Sequence, residues 1–191
     1  MKTTLKEIIE VIAGYTFRNA IKGDENGNMY VVQAVDTYGT NDIDLKYLPK
    51  INANNTRSNA ILKRNDVVLS CRGDFRASVY IADSDISIAS SSLYIIRIKD
   101  QNKILPHFLS IYLNSKIGQK FIKKVETGAT IKTVLKKDIE SLPINIPAIK
   151  VQQEIIDLFK NCQKQSNMLL KKTILIHNIA DGALNQILTK S

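Results

Sequence analysis

The sequence predicts an α+β chain. A mixed domain with a short-stranded sheet, residues 1–147, is followed by one long C-terminal coiled-coil helix, residues 148–191. Three observations predict it. Short β-branched runs bounded by turn residues recur between Tyr30 and Ile98. From Leu105 the apolar spacing changes to the helical period. After Pro147 there is no further proline, and two columns of positions seven apart run almost to the C-terminus. One column is Ile155, Cys162, Leu169, Ile176 and Ala183; the other, four residues on, is Phe159, Ser166, Thr173, Ala180 and Ile187.

Taking the chain in order, Thr4 and Glu7 have capping-box spacing, so a short helix or helical turn is expected within 4–12. Gly14 opens a turn, and Gly23, Asp24, Asn26 and Gly27 break the polar loop that follows. Tyr30–Asp36 is expected as a strand, and residues 37–60 as a polar surface segment. Leu62–Asp66 is a turn into the apolar run Val67–Cys71. Further strands are expected at Ser78–Ala82, Ile86–Ala89 and Ser92–Ile98, in a largely antiparallel sheet or half-barrel. Pro106 suits the first position of a helix carrying Phe108, Leu109, Tyr112 and Leu113. Asn114-Ser115 separates it from a second helix with Lys116, Lys120, Lys123 and Lys124 on its wet side. A loop at Thr127–Thr133, a helical turn at Ile139–Leu142 and a strand at Ile144–Ile146 complete the domain.

The alternation of four and three in the last segment is a coiled-coil seam. At 1.5 Å per residue the helix would be about 55 Å long, more than the domain requires. The sequence contains no second long helix, so the seam is expected to pair with a helix from another molecule. Ser166, Thr173 and Gly182 weaken the stripe, Gly182 by about 1 kcal/mol relative to alanine.

The chain has 191 residues, 44% of them hydrophobic, and a formal net charge of +9. Counted along the sequence, residues 1–50 carry −1, 51–100 carry +2, 101–147 carry +5 and 148–191 carry +3. The middle of the chain is therefore the candidate face for a polyanion. No apolar run is long enough to span a bilayer, and the first residues lack a signal-peptide pattern, so a cytoplasmic protein without membrane contact is expected. Cys71 and Cys162 are expected as buried small hydrophobes.

Catalytic patterns are absent from the sequence. No Gly-Lys pair occurs, so there is no phosphate-binding loop of the Walker type. His107 and His177 have no Cys or carboxylate at ligand spacing, and Ser90-Ser91-Ser92 lacks flanking glycines. Asp66, Asp74, Asp83 and Asp85 are expected as turn residues, so neither a metal nor a cofactor is expected. A non-catalytic chain is the reading.

Several blocks, in order, resemble the specificity subunit of type I restriction–modification systems. They are Leu5-Lys6-Glu7-Ile8-Ile9 with Gly14, then Leu62–Leu69 followed by Arg72-Gly73. Next come Pro106–Leu109 through Tyr112–Ser115, then Gly128-Ala129-Thr130 with Leu135, Leu142, Pro143 and Ile146-Pro147. Gln153 with Ile155-Ile156 resembles the start of that family's spacer helix. The resemblance implies a target recognition domain that reads double-stranded DNA and holds adenine-N6 methyltransferase subunits on a bipartite site. A restriction–translocation subunit joins such assemblies when they also cut DNA. Family members usually carry two recognition domains and two spacer helices, whereas this sequence has one of each. Two copies are therefore expected to pair antiparallel through a helix seam of Ile155, Phe159, Cys162, Leu169, Ile176, Ala180, Ala183 and Ile187, giving a palindromic site.

The residues expected at DNA are Asn54, Asn55, Arg57, Arg72, Arg76, Lys132 and Lys136, with Gln33 and Thr37 as weaker candidates. Lys and Arg neutralise phosphates and set register, while Asn and Arg present donors to base edges. The rival reading is a non-enzymatic coiled-coil adaptor whose basic face meets an acidic protein.

Overall fold

The computed structural model describes residues 2–37, 42–52, 59–83 and 86–188. It divides into two compact units, one ending at Gln153 and the other beginning at Glu154. The first unit opens with β1 (Lys2–Thr4), a single helical turn α1 (Leu5–Ile8) and β2 (Ile9–Ala13). The helical turn expected within 4–12 is α1, and the residues after it form a strand. Thr4 pairs with Pro143 in a strand, its side chain makes no cap, and Ile9 and Val11 alternate with exposed Glu10. That period of two suits a half-buried strand, and pairing with a sheet neighbour overrides the weak local helix signal.

β3 (Met29–Val32) is followed by a 3-10 turn at Ala34–Thr37, so the strand expected to Asp36 is shorter. Asp36 accepts from the backbone N–H of Gln33 at 2.7 Å, which closes that turn. Then come β4 (Lys50–Ile51), β5 (Val67–Ser70), β6 (Ala77–Val79), β7 (Ser87–Ala89) and β8 (Leu93–Ile98). α2 (Pro106–Asn114) and α3 (Lys116–Val125) meet at Ser115, whose hydroxyl accepts from the Gly118 N–H and so caps α3. α4 (Lys136–Glu140) and β9 (Pro143–Asn145) close the unit, and β9 pairs antiparallel with β1.

Two larger sheets form the core. The four-stranded sheet has the order β2-β8-β5-β6 and is antiparallel throughout. The three-stranded sheet has the order β4-β3-β7, with β3 and β7 parallel. Val68, Leu93 and Ile95 of the first and Val31, Val32 and Ile88 of the second share one buried cluster. α2 lies against β5 and β6, and α4 against β2. Fully burying each such aliphatic side chain stabilises by about 1.5–3 kcal/mol.

Asp66, expected as an ordinary turn residue, is 2% exposed and accepts two hydrogen bonds from Arg97, at 2.9 and 2.7 Å. His107 Nε2 lies 2.7 Å from Asp42 Oδ1, a pair 65 residues apart in sequence. α5 (Ile149–Leu188) begins in the first unit, where the buried Gln152 amide donates to the carbonyls of Lys103 and Pro147 and accepts from the Leu105 N–H.

The second unit is the remainder of α5. Phe159, Leu169, Ile176 and Ile187 are exposed in the single chain. So is Cys162, against the expectation of burial, because its helix face has nothing of its own unit to pack against. Met168, Leu175 and Ile179 are exposed too, and fall about a quarter-turn from the seam. No helix among the described residues is long and apolar enough to cross a membrane.

Candidate nucleic-acid interface

Register fixes where the loops leave the four-stranded sheet. Ala13 at the end of β2 pairs with Tyr94, and Ser70 at the end of β5 pairs with Leu93. Leu69 pairs with Ala77 at the start of β6. One end of the sheet therefore emits the segment after Gly14, the loop Cys71–Arg76 and the turn Ser90–Ser92. A bridge between Arg72 and Thr133 brings the Thr127–Thr133 loop to the same end. Val134, which follows that loop, donates its N–H to the Cys71 carbonyl at 3.2 Å.

Of the seven residues expected at DNA, the four described ones, Arg72, Arg76, Lys132 and Lys136, are brought to this end. Asn54, Asn55 and Arg57 lie outside the described residues. The Arg72 and Arg76 side chains are exposed and have no partner among the described residues. Lys132 lies 3.7 Å from Glu126, and Lys136 lies 3.7 Å from Glu140. Exposed pairs of this kind are worth at most about 1 kcal/mol, so both ammonium groups can exchange a carboxylate for a phosphate. Gln33 adjoins the same end, since Ser90 donates its N–H to the Val32 carbonyl. Thr37 is buried and its hydroxyl donates to the Ala34 carbonyl, so it has no free group for a base edge.

The loop carrying the two arginines is tightly held. Gly73 adopts φ +71, the left-handed conformation that lets the loop reverse, and its N–H donates to the Lys132 carbonyl at 2.8 Å. Ser70 Oγ donates to the Arg72 carbonyl at 2.8 Å. Asn114 both accepts from the Ala77 N–H and donates to its carbonyl, at 2.9 and 2.8 Å. Gln119 donates to the Phe75 carbonyl at 2.6 Å. The opposite loop is closed by two backbone hydrogen bonds of 2.8 Å between Thr127 and Thr133. Within it Gly128 has φ +98, and a Cβ there would collide with the Ile131 carbonyl oxygen. Between the two loops is a recess of about 420 Å³ lined by Arg76, Gln119, Lys123, Glu126 and Lys132. Such preorganisation lowers the ordering cost of binding.

Deeper in, burial pushes the Tyr94 phenol up, and Arg72 nearby partly offsets this. Burial likewise raises Cys71 above its ordinary thiol value despite the adjacent Arg72. Tyr94 keeps its proton and donates it to the Val134 carbonyl at 3.1 Å. The other end of the sheet differs in charge state. There Arg97 pairs with Asp66, Arg64 with Asp83 and Lys103 with Asp100. Of the described arginines of this sheet and its loops, Arg72 and Arg76 at one end have no carboxylate partner while Arg64 and Arg97 at the other do, an arrangement that suits a polyanion site. Among the described residues no group of three or more His, Cys, Asp or Glu side chains is placed to hold a metal ion.

Residues 1–176 match the type I restriction modification DNA specificity domain. The chain belongs to that family. Specificity subunits of type I systems are non-catalytic DNA-recognition subunits. The EcoBI specificity subunit of Escherichia coli is 24% identical over 159 residues, covering 81% of this chain and 33% of the relative. The chain thus spans about a third of that protein's length. Solved structures share the fold. The type I S subunit from M. genitalium superposes with a TM-score of 0.59 at 13% identity, covering 90% of this chain and 41% of that one. The HsdS subunit from Thermoanaerobacter tengcongensis gives 0.62 at 17% identity, covering 90% and 39%. A chain from a study of type I complex assembly and conformational transition gives 0.66 at 18%, covering 88% and 39%.

Gln119 carries no local signal in the sequence and Asn114 reads there only as a helix break; both matter because α2 and α3 meet the arginine loop. Lys123 was visible only as one of several wet-side lysines.

Proposed function

We propose that this specificity-domain chain reads double-stranded DNA through the basic end of its four-stranded sheet and directs adenine-N6 methyltransferase subunits to a bipartite site. Residues 1–147 act as the reader and residues 148–191 as spacer and dimerisation helix. Where the system also cuts, a restriction–translocation subunit joins the same assembly. The observation that carries the reading is the convergence of Arg72, Arg76, Lys132 and Lys136 on one sheet end, with both guanidinium groups unpaired among the described residues. Arg72 and Arg76 read guanine or grip phosphate; Lys132 and Lys136 neutralise phosphates and set register. Asn54, Asn55 and Arg57 are proposed as base-edge readers on the segment after Asn52.

The seam of α5 pairs two copies antiparallel, so identical readers face a palindromic target separated by a non-specific gap.

The deciding experiment is affinity purification of the tagged chain from its own cells, followed by native mass measurement and mapping of methylated adenines. Two copies with an adenine methyltransferase and a palindromic methylated site are expected. Recovery of the chain with acidic proteins alone, and no change in methylation on deleting its gene, would favour the adaptor reading instead.

A further inference from the structure

A second basic element leaves the same end of the sheet and is assigned to no role above. Tyr15 follows β2; its N–H donates to the Ala89 carbonyl at 2.7 Å, and it bridges to Ser90. The turn it touches also holds the arginine loop, because the Cys71 N–H donates to the Ser92 carbonyl at 2.9 Å. β2 and β5 flank β8, so the two loops emerge about 10 Å apart, two strand spacings.

Gly14–Lys22 contains two cations, Arg18 and Lys22, and no acidic residue. Each cation directly follows an anchor. Phe17 and Ile21 pack against the core cluster, and the Tyr15 ring stands edge-on to Phe17 with centroids 4.9 Å apart. The Arg18 and Lys22 side chains are exposed and have no partner among the described residues. With Asn19 and Asn52 they line a cleft of about 740 Å³. The nearest acidic side chain in sequence, Asp24, is engaged by the Asn26 N–H and the Asn52 amide.

We infer that the cleft between Tyr15–Lys22 and Asn52 is a second DNA contact, in which Arg18 and Lys22 hold backbone phosphates outside the bases read by the arginine loop. The inference rests on the DNA-reading role proposed above and extends it. Arg18 and Lys22 are positioning residues: they fix register and carry no base preference. Charge complementarity and continuity with the arginine loop through Ser90–Ser92 select DNA as the occupant. The rigid anchoring means that the cations need no loop folding on binding.

The test uses the chain in complex with its methyltransferase and measures duplex affinity against salt, for the methylated sequence and for an unrelated duplex. Losing two phosphate contacts in R18A/K22A should flatten the log–log salt slope by about 1.8. Both duplexes should weaken by the same factor, and the methylated sequence should stay unchanged. R72A/R76A serves as the companion variant. If it flattens the slope while R18A/K22A leaves it at the wild-type value, the cleft is not a DNA contact and the reading of the arginine loop stands. A change of methylated sequence in R18A/K22A would also overturn the positioning role. If the wild-type complex shows no salt-dependent duplex binding, the DNA-reading role fails and this inference fails with it. All four side chains are exposed, so neither double variant removes core packing.

Discussion

Asp66 and Arg97 stabilise the sheet end remote from the basic loops. The carboxylate is 2% exposed, accepts both guanidinium hydrogen bonds and also takes the Lys63 N–H at 2.8 Å. Hydrogen bonding to Asp66 holds Arg97 above its ordinary value, so it stays cationic at any pH where the protein folds. Removing the cation strands a buried carboxylate, and Arg97→Ala should destabilise by about 3 kcal/mol in denaturant unfolding. A loss under about 1 kcal/mol would mean that water reaches Asp66 readily. Gly73 makes a different prediction. Its Cβ direction is open, so Gly73→Ala is strained only by φ +71 and should cost about 1–2 kcal/mol. Cys71 begins the alkaline pH dependence, ahead of the half-buried Tyr94 and Tyr112 phenols, which burial also raises. Burial raises its folded pKa above the unfolded thiol value near 9.0, so it adds nothing at neutral pH. Stability falls as pH rises above about 9, where the unfolded thiol ionises and the buried one does not. Cys71→Ala should flatten that alkaline decline in unfolding curves.

At the scale of elements, the strands and helices were largely legible because each repeats its period locally. Val67–Ser70 and Leu93–Ile98 read as strands, and Pro106 and Ser115 mark helix starts that the structure retains. The helical turn expected after Thr4 is present as α1, but the strand expected to Asp36 ends at Val32, and the segment 37–60, expected as polar surface, holds β4 and the buried Ile43 and Leu48. The local hydrogen bond from the Gln33 N–H to Asp36 closes the 3-10 turn that ends the strand, whereas β4 depends on its non-local partner β3. α5 makes the element-scale predictions. If the seam pairs, Leu169→Asp with Ile176→Asp should give a monomer by native mass while the domain keeps its unfolding midpoint. In the same protein Cys162 should react with a thiol reagent at pH 8 in the variant and be protected in the paired helix. Cys71, buried and held protonated, should stay unlabelled in both. Equal labelling of Cys162 in both would place the pairing face elsewhere on α5.

For the whole molecule, charge is sorted by position rather than by amount. A net charge of +9 over 191 residues describes many proteins that never meet DNA. Here the sheet register collects Arg72 and Arg76 with Lys132 and Lys136 at one end, while Arg64 and Arg97 at the other are paired with Asp83 and Asp66. Genome-wide methylation mapping should therefore respond differently to the two kinds of residue. R72A or R76A should relax one position of the target, a loss of about 1–3 kcal/mol in discrimination. Lys132→Ala and Lys136→Ala should lower occupancy at every site without changing the sequence. An unchanged target in both arginine variants would assign base reading to another surface.

By itself the sequence determined the α+β class, the long C-terminal helix and the resemblance that the family match bears out. These follow from short-range period and from the order of blocks, which a linear chain displays directly. Only the tertiary structure decided which cations share an end. It also decided that Asp66 is a buried partner, that Gln119 and Asn114 fasten the arginine loop, and that Arg18 and Lys22 line a cleft with Asn52. The physical reason is that these relations depend on strand register. Shifting a strand by one residue would turn its side chains to the other face, and no local pattern at Arg18, Arg72 or Lys132 records which strands will lie between them.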